Sequence, residues 1–182
     1  MFLDVAQLKN ILIKEPFSLF ELSPNFDIKP NELQAQYLEL QRQFHPDNYV
    51  LSDPEQKTYV AQLSTYINQS YTSLKNPLLR GILLLKNYNI ILDLAKDTIL
   101  PNHFLIEQME FHEAIDAAKS SNDLEQLNKL EEHSISTEKK LIKNISVSFK
   151  NNDLQGVQEL LKQLAFYNRL KNTLNNAIES LD

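Results

Sequence analysis

The residues of this chain best able to do chemistry are His45 and Asp47, which stand on either side of Pro46. An imidazole beside a carboxylate can act as an acid–base pair, but catalysis also needs a nucleophile, an oxyanion site or a metal, and the sequence nominates none of these. Pro46 disfavours helix at His45 and has no amide to donate, while Asp47 can bond the following amides and fix the loop. The sequence therefore predicts a rigid loop that presents both side chains to another protein.

Glycine is scarce, with only Gly81 and Gly156 among 182 residues. A phosphate-binding loop needs several closely spaced glycines that take positive φ and let the backbone approach phosphate. Cysteine is absent, which excludes disulfides, thiolate nucleophiles and thiolate metal sites. The remaining histidines, His103, His112 and His133, lack the spacing of metal ligands. We therefore expect no catalytic activity, no cofactor and no metal, and any nucleotide chemistry must take place on a partner.

The charge pattern argues against nucleic acid and membrane as partners. The net charge is −6, and neither half of the chain has a basic excess. The longest apolar run, residues 82–85, is far too short to span a bilayer. Residues 1–13 lack the charged start and small-residue cleavage site of a signal peptide. We expect a cytoplasmic globular protein.

Helical periodicity dominates the first half of the chain. The pattern predicts a short helical turn over residues 17–22, a helix over 30–44, and another that begins at Ser52 or Asp53 and stops at Asn76. Apolar residues recur at intervals of three and four in both longer helices, which predicts an antiparallel pair. These positions are Leu33, Tyr37, Leu40 and Phe44 on one helix, and Val60, Leu63, Ile67, Tyr71 (or Ser70) and Leu74 on the other.

The second half of the chain also has helical patterns. Residues 77–88 predict a short apolar helix and residues 89–101 a connector, after which three longer patterns follow. The two breaks between these patterns end in Asp123 and Asp153, and aspartate is a favoured N-cap residue. We predict a three-helix bundle formed by residues 102–119, 123–149 and 153–181.

Residues 17–77 resemble a J-domain, whose hallmark is His-Pro-Asp between its second and third helices. With its second half, the chain resembles the HscB-type J-domain co-chaperones of iron–sulfur cluster assembly, over nearly everything after Glu15. The stretches that carry the resemblance are Leu40 to Asp47, Ile67-Asn68-Gln69, Asn76-Pro77-Leu78-Leu79-Arg80, and Phe104 to Glu110.

The resemblance implies an L-shaped, all-α fold in which a J-domain helical hairpin, a linker helix and a three-helix bundle follow one another. The extra N-terminal residues have no counterpart in the compact bacterial pattern, and there we expect only an amphipathic helix that covers the J-domain. The expected domains are the N-terminal extension (1–15), the J-domain (16–77), the linker helix and connector (78–101) and the scaffold-binding domain (102–182).

The resemblance also implies the function of a co-chaperone. In HscB-type proteins the His-Pro-Asp tripeptide inserts against the ATPase domain of a dedicated HscA-type heat-shock cognate chaperone and stimulates its ATP hydrolysis. By position, His45, Pro46 and Asp47 would do this here, with Arg42 as the cation of the preceding helix. The nucleotide would then belong to the partner, which agrees with the glycine count.

A second surface is predicted on the first helix of the bundle. At 100° per residue, Phe104 and Phe111 share one face, whereas Leu105, Ile106 and Met109 point roughly 150° away. From the residues alone, this second face is either covered by another helix or exposed for a partner. The resemblance favours a partner, since HscB-type proteins bind the scaffold protein IscU there, although Phe166 fits a core position equally well. By position the scaffold-binding residues would be Leu105, Ile106, Met109, Glu110, Glu113 and Phe166.

The sequence departs from the family pattern at three places. Asn48 and Gln36 stand where basic residues are frequent, and Ala117 stands where a further acidic scaffold contact is expected. Electrostatic steering toward an acidic chaperone would therefore be weaker. Two alternatives stay open: a J-domain co-chaperone of a general DnaK-type chaperone, and a helical adaptor that only binds.

Overall fold

The computed structural model describes residues 3–94 and 101–181, and the regular structure within them is helical throughout. The all-α prediction is therefore confirmed. Residues 95–100 of the predicted connector lie outside the described residues. The elements are α1 (Val5–Leu12), α2 (Pro16–Leu19), α3 (Pro30–Gln43), a 3₁₀ turn (Pro46–Tyr49), α4 (Pro54–Lys75), α5 (Pro77–Asn87), α6 (Asn102–Ser120), α7 (Leu124–Lys150) and α8 (Leu154–Glu179).

The chain divides into two compact units at residues 84 and 85, within α5. The N-terminal unit holds α1 to α4, and the C-terminal unit holds α6 to α8. Among the described helices, none is long and apolar enough to cross a bilayer.

Short polar residues fix the helix ends. Asp53, Asp123 and Asp153 each accept the backbone amide three residues ahead at 2.9 Å, so the predicted caps are confirmed. Just before two of these caps, Asn122 and Asn152 take the left-handed conformation, with φ of 52° and 55°. Asparagine tolerates this conformation better than most residues, and here it ends helices where other chains use glycine.

The N-terminal unit is built around α4, and α3 lies on one side of it. The Tyr37 and Tyr71 rings stack with centroids 3.9 Å apart, and the Tyr37 hydroxyl donates to Asn68 Oδ1 at 3.1 Å. Of the two alternatives at the α4 stripe, Ser70 is buried and Tyr71 is half-buried. The small Ser70 side chain faces the core, whereas the Tyr71 ring lies at the edge of the core.

The N-terminal extension forms α1, which packs on the other side of α4. Asp4 and Gln7 make reciprocal capping bonds that start the helix, and Leu8 is fully buried. The Lys9 ammonium lies 4.8 Å from the Tyr59 ring centroid, and the Tyr66 hydroxyl donates to the Lys14 carbonyl at 2.6 Å. At 100° per residue, this side of α4 lies roughly 160° from the side that contacts α3.

The junction between α4 and α5 is held by the two ends of the Asn76–Arg80 stretch. The Asn76 side chain accepts the Leu78 amide at 2.9 Å and so starts α5. The Arg80 guanidinium donates to the Leu74 carbonyl at 2.6 Å, which satisfies an otherwise unpaired carbonyl at the end of α4. Burial lowers the pKa of Arg80, an effect that the nearby Asp27 carboxylate opposes.

The C-terminal unit is a three-helix bundle in which α8 supplies much of the core. Residues 164–167 of α8 are all buried, and the Tyr167 ring meets Phe111 edge-on at 6.1 Å. The Phe104, Phe111 and Ile115 side chains of α6 point into this core, as the helical spacing predicts.

Leu8→Ala tests whether α1 is an integral part of the N-terminal unit. Removing a fully buried leucine side chain leaves a cavity, so we expect the free energy of opening of α1 and α4 to fall by about 2–4 kcal/mol. Native-state hydrogen exchange of the full chain measures this change element by element. Ile13→Ala, at a side chain that is 80 % exposed, is the matched control. Equal protection in the two variants would show that α1 merely rests on the surface.

Candidate functional site

The first surface is the knuckle, which we define as His45, Pro46 and Asp47. The residues that flank it are buried: Phe44, at the end of α3, is 1 % exposed and Tyr49 is 3 % exposed. The knuckle itself is exposed. Two aromatic anchors and the proline ring therefore hold a short loop whose polar side chains face solvent.

The His45 imidazole is oriented by the backbone of its own loop. Its Nδ1 atom accepts the Asp47 amide at 3.3 Å and lies 3.6 Å from Asp47 Oδ2. Because Nδ1 accepts, the proton of the neutral ring is assigned to Nε2, on the far side of the ring. The knuckle thus offers a partner one N–H donor and, from Asp47, a carboxylate acceptor that is 85 % exposed.

The sequence indicates Asp47 as the residue that fixes the loop, but in the structure other residues do so. In the described structure the Asp47 carboxylate bonds no following amide, so that prediction is wrong. Instead, His45 caps the 3₁₀ turn, and the Asn48 side chain donates to the Arg42 carbonyl at 2.8 Å. Asn48, which departs from the family pattern, therefore has a local role: it closes the end of α3.

Arg42 lies one turn before the knuckle, and its guanidinium is engaged on its own helix. Its Nη2 atom donates to Glu39 Oε2 at 2.6 Å, and both side chains are more than half exposed. Exposed pairs of this kind contribute about 0–1 kcal/mol, so a partner can take over the guanidinium at little cost.

The second surface is the outer face of α6, which we define as Leu105, Ile106, Met109, Glu110 and Glu113. The three apolar side chains are 40 %, 56 % and 63 % exposed, in that order, and both carboxylates are exposed. Among the described residues, no neighbouring helix of the unit covers these side chains, so the first of the two alternatives, burial against another helix, is excluded. The face combines apolar contact area with negative charge.

Phe166 is separated from this outer face. It is 5 % exposed, and its ring meets Phe104 edge-on at 5.5 Å. His112, an exposed residue that the sequence interpretation passed over, contacts the Phe166 ring at 6.0 Å. The signal that points to His112 is its position seven residues, about two turns, after Leu105. The structure thus buries Phe166 against Phe104 and His112, apart from the surface that the other five residues form.

A polar contact in the core connects α6 with α8. The Tyr167 hydroxyl donates to Glu107 Oε1. Burial, with Glu107 as the second cause, raises the pKa of Tyr167 well above its ordinary value. Glu107 lies between the core face and the outer face of α6, so this bond helps to set the rotation of α6 about its axis.

Comparisons of this chain with known proteins agree with one another. Residues 100–175 match the family model for the HSCB C-terminal oligomerisation domain. The chain is 32 % identical to a co-chaperone protein HscB homolog of Neisseria meningitidis, over 89 % of this chain and 98 % of the relative. It is 28 % identical to the human iron–sulfur cluster co-chaperone protein HscB, over 87 % of this chain and 66 % of the relative.

A solved structure extends the similarity to the fold. The crystal structure of human co-chaperone protein HscB superposes with a TM-score of 0.84 at 27 % identity, and covers 90 % of this chain and 82 % of that chain.

Tyr167→Phe tests the core contact. The variant leaves the Glu107 carboxylate half-buried without its donor, so we expect the C-terminal unit to lose about 1–2 kcal/mol of stability at neutral pH.

The raised pKa of Tyr167 also makes its contribution to stability depend on pH. The folded state holds the tyrosine proton more tightly, so this contribution is complete below about pH 10, the ordinary pKa. It is lost as the pH rises further in chains that keep Tyr167, namely the wild type and the control, and this loss is absent from Tyr167→Phe. Urea unfolding at several pH values measures both effects, and Tyr88→Phe, at a half-exposed ring, is the control. Identical curves for the two variants would contradict the assigned role.

Proposed function

The chain belongs to the HscB family of co-chaperones, and on that premise we propose that it stimulates ATP hydrolysis by an HscA-type heat-shock cognate chaperone. We further propose that it delivers the iron–sulfur scaffold protein IscU to that chaperone and so promotes cluster transfer. The observation that carries the proposal is the presence of two exposed surfaces of different chemistry, one in each compact unit. A protein that joins two partners needs both.

The knuckle is the surface proposed for the chaperone. His45 offers the Nε2–H donor and Asp47 offers the acceptor, while the buried Phe44 and Tyr49 hold the loop in place before contact. Pre-organisation of this kind lowers the conformational entropy lost on binding. Arg42 adds a cation on the adjoining turn of α3. Hydrolysis itself takes place on the chaperone, since the proposed role of this chain is to bind and not to catalyse.

The outer face of α6 is the surface proposed for the scaffold. Leu105, Ile106 and Met109 supply apolar area, and the flexible Met109 thioether adapts to an irregular contact. Glu110 and Glu113 flank these side chains and favour a basic rim on the scaffold. For Phe166 we propose a supporting role, in which its ring packs beneath His112 and Phe104 and keeps this face firm.

The proposal assigns one task to each part of the chain. Residues 16–77 act as the J-domain and residues 102–182 as the scaffold-binding domain, with 78–101 between them and 1–15 as an added support of the J-domain. We place the protein in the cytoplasm, with no resident cofactor.

His45→Gln tests the chaperone contact. Glutamine keeps polarity but loses the ring that the loop orients, so we expect stimulation of the chaperone ATPase to fall by about tenfold or more. The measurement is steady-state ATP hydrolysis by the HscA-type chaperone, with scaffold, at increasing concentrations of this protein.

His133→Gln, a histidine substitution in the other unit, is the control for this assay and should stimulate like the wild type. Full stimulation by His45→Gln would remove the knuckle from the mechanism. Failure of the wild type to stimulate, with scaffold binding intact, would leave the adaptor alternative. Stimulation of a DnaK-type chaperone, but not of the HscA-type chaperone, would favour the alternative of a co-chaperone for a general DnaK-type chaperone.

Met109→Ala tests the scaffold contact. Loss of a thioether side chain from the centre of an apolar interface should weaken IscU binding by about tenfold. Isothermal titration calorimetry measures the affinity. Val147→Ala removes an apolar side chain of similar exposure, 47 %, from α7 and should change the affinity by less than about twofold. Equal weakening by both variants would show that the outer face of α6 has no special part in binding.

A further inference from the structure

A groove lies beside the knuckle, between the 3₁₀ turn and the first two turns of α4. Its volume is about 380 Å³. Tyr49 and Val60 are buried and form its floor, whereas the other lining residues are exposed and form its rim. The rim residues are Pro46, Asp47, Val50, Lys57 and Ala61.

The walls of this groove are apolar, and so is the loop at its edge. Val50 is 61 % exposed, and Leu51, which follows it, is 100 % exposed. Single exposed apolar residues are ordinary, but two in succession at the mouth of an apolar groove leave a contiguous area in contact with water. Binding interfaces are anchored by side chains that fill such pockets.

Lys57 gives this edge of the groove a positive charge. It is exposed, and among the described residues it has no ion-pair partner. Arg42, by contrast, is already paired with Glu39 on α3. Gln36 of α3 and Asn48 of the loop are uncharged, so the positive charge at this groove comes from Lys57 of α4.

We propose that this groove is a second contact for the ATPase chaperone: it accepts one apolar side chain of that partner, and Lys57 pairs with a carboxylate beside it. This inference rests on the proposed function. The occupant follows from continuity, because Pro46 and Asp47 belong both to the knuckle and to the groove lining. A protein that docks on His45 and Asp47 covers the groove at the same time.

Two substitutions test the two halves of this contact. Ala61→Met fills the groove from its rim, and Lys57→Gln removes the charge while keeping a polar side chain. In the chaperone ATPase assay, we expect the concentration for half-maximal stimulation to rise about three- to tenfold for Ala61→Met. For Lys57→Gln we expect a rise of about two- to fivefold and a weaker dependence on salt. The maximal rate should remain near that of the wild type, since the knuckle is intact.

The same helix offers matched controls. Lys75 lies 18 residues after Lys57, about five turns along the same face of α4, and Thr72 lies 11 residues after Ala61, about three turns along its face. Lys75→Gln and Thr72→Met should therefore stimulate like the wild type. Circular dichroism of each variant checks that its helices are intact.

The outcomes separate this inference from the proposed function. If His45→Gln abolishes stimulation while Ala61→Met and Lys57→Gln match the wild type, the proposed function stands and the groove contact is wrong. If the groove variants and their controls weaken stimulation equally, the groove contact is likewise wrong. If the wild type does not stimulate the chaperone at all, both fall.

Discussion

The geometry of the knuckle depends on Pro46. It ends α3, and a 3₁₀ turn over Pro46–Tyr49 follows before α4 begins. Phe44 and Tyr49 are buried on either side of it, so the residues between them are held at the surface. The two aromatic side chains anchor the loop, and the hydrogen bonds of His45 and Asn48 fix the backbone between them. The loop is thus held in one arrangement while the side chains of the knuckle stay exposed.

The C-terminal unit also presents exposed side chains from an element that the core holds in place, but this element is a helix, α6. The core side of α6 is fixed by Phe104, Phe111 and Ile115, and the Tyr167–Glu107 bond holds its rotation. Once that side is buried, the outer face of α6 points away from the core, because it lies roughly 150° around the helix. Its apolar side chains are exposed because the described helices of the unit pack on the opposite side of α6.

The extra N-terminal helix bears on the stability of the knuckle. α4 has α1 on one side and α3 on the other, so the helix that closes the knuckle is supported from both directions. The Lys9 ammonium contacts the Tyr59 ring, and the Tyr66 hydroxyl donates to the Lys14 carbonyl, so both contacts link the N-terminal extension to α4. The Leu8 side chain is buried in the core between α1 and α4. The extension therefore strengthens the hairpin and leaves the knuckle open.

The helices, their caps at Asp53, Asp123 and Asp153, and the exposed loop at Pro46 can be predicted from the sequence, because proline, capping residues and apolar spacing act over a few residues. The groups that fix that loop, and the side chains that are buried, depend on the packing of the helices. His45 and Asn48 hold the loop where the sequence pointed to Asp47, since this depends on where the end of α3 lies. Phe166 is buried and the outer face of α6 is exposed because burial is set by neighbours that are distant in the chain, and a helical pattern records only that two faces exist.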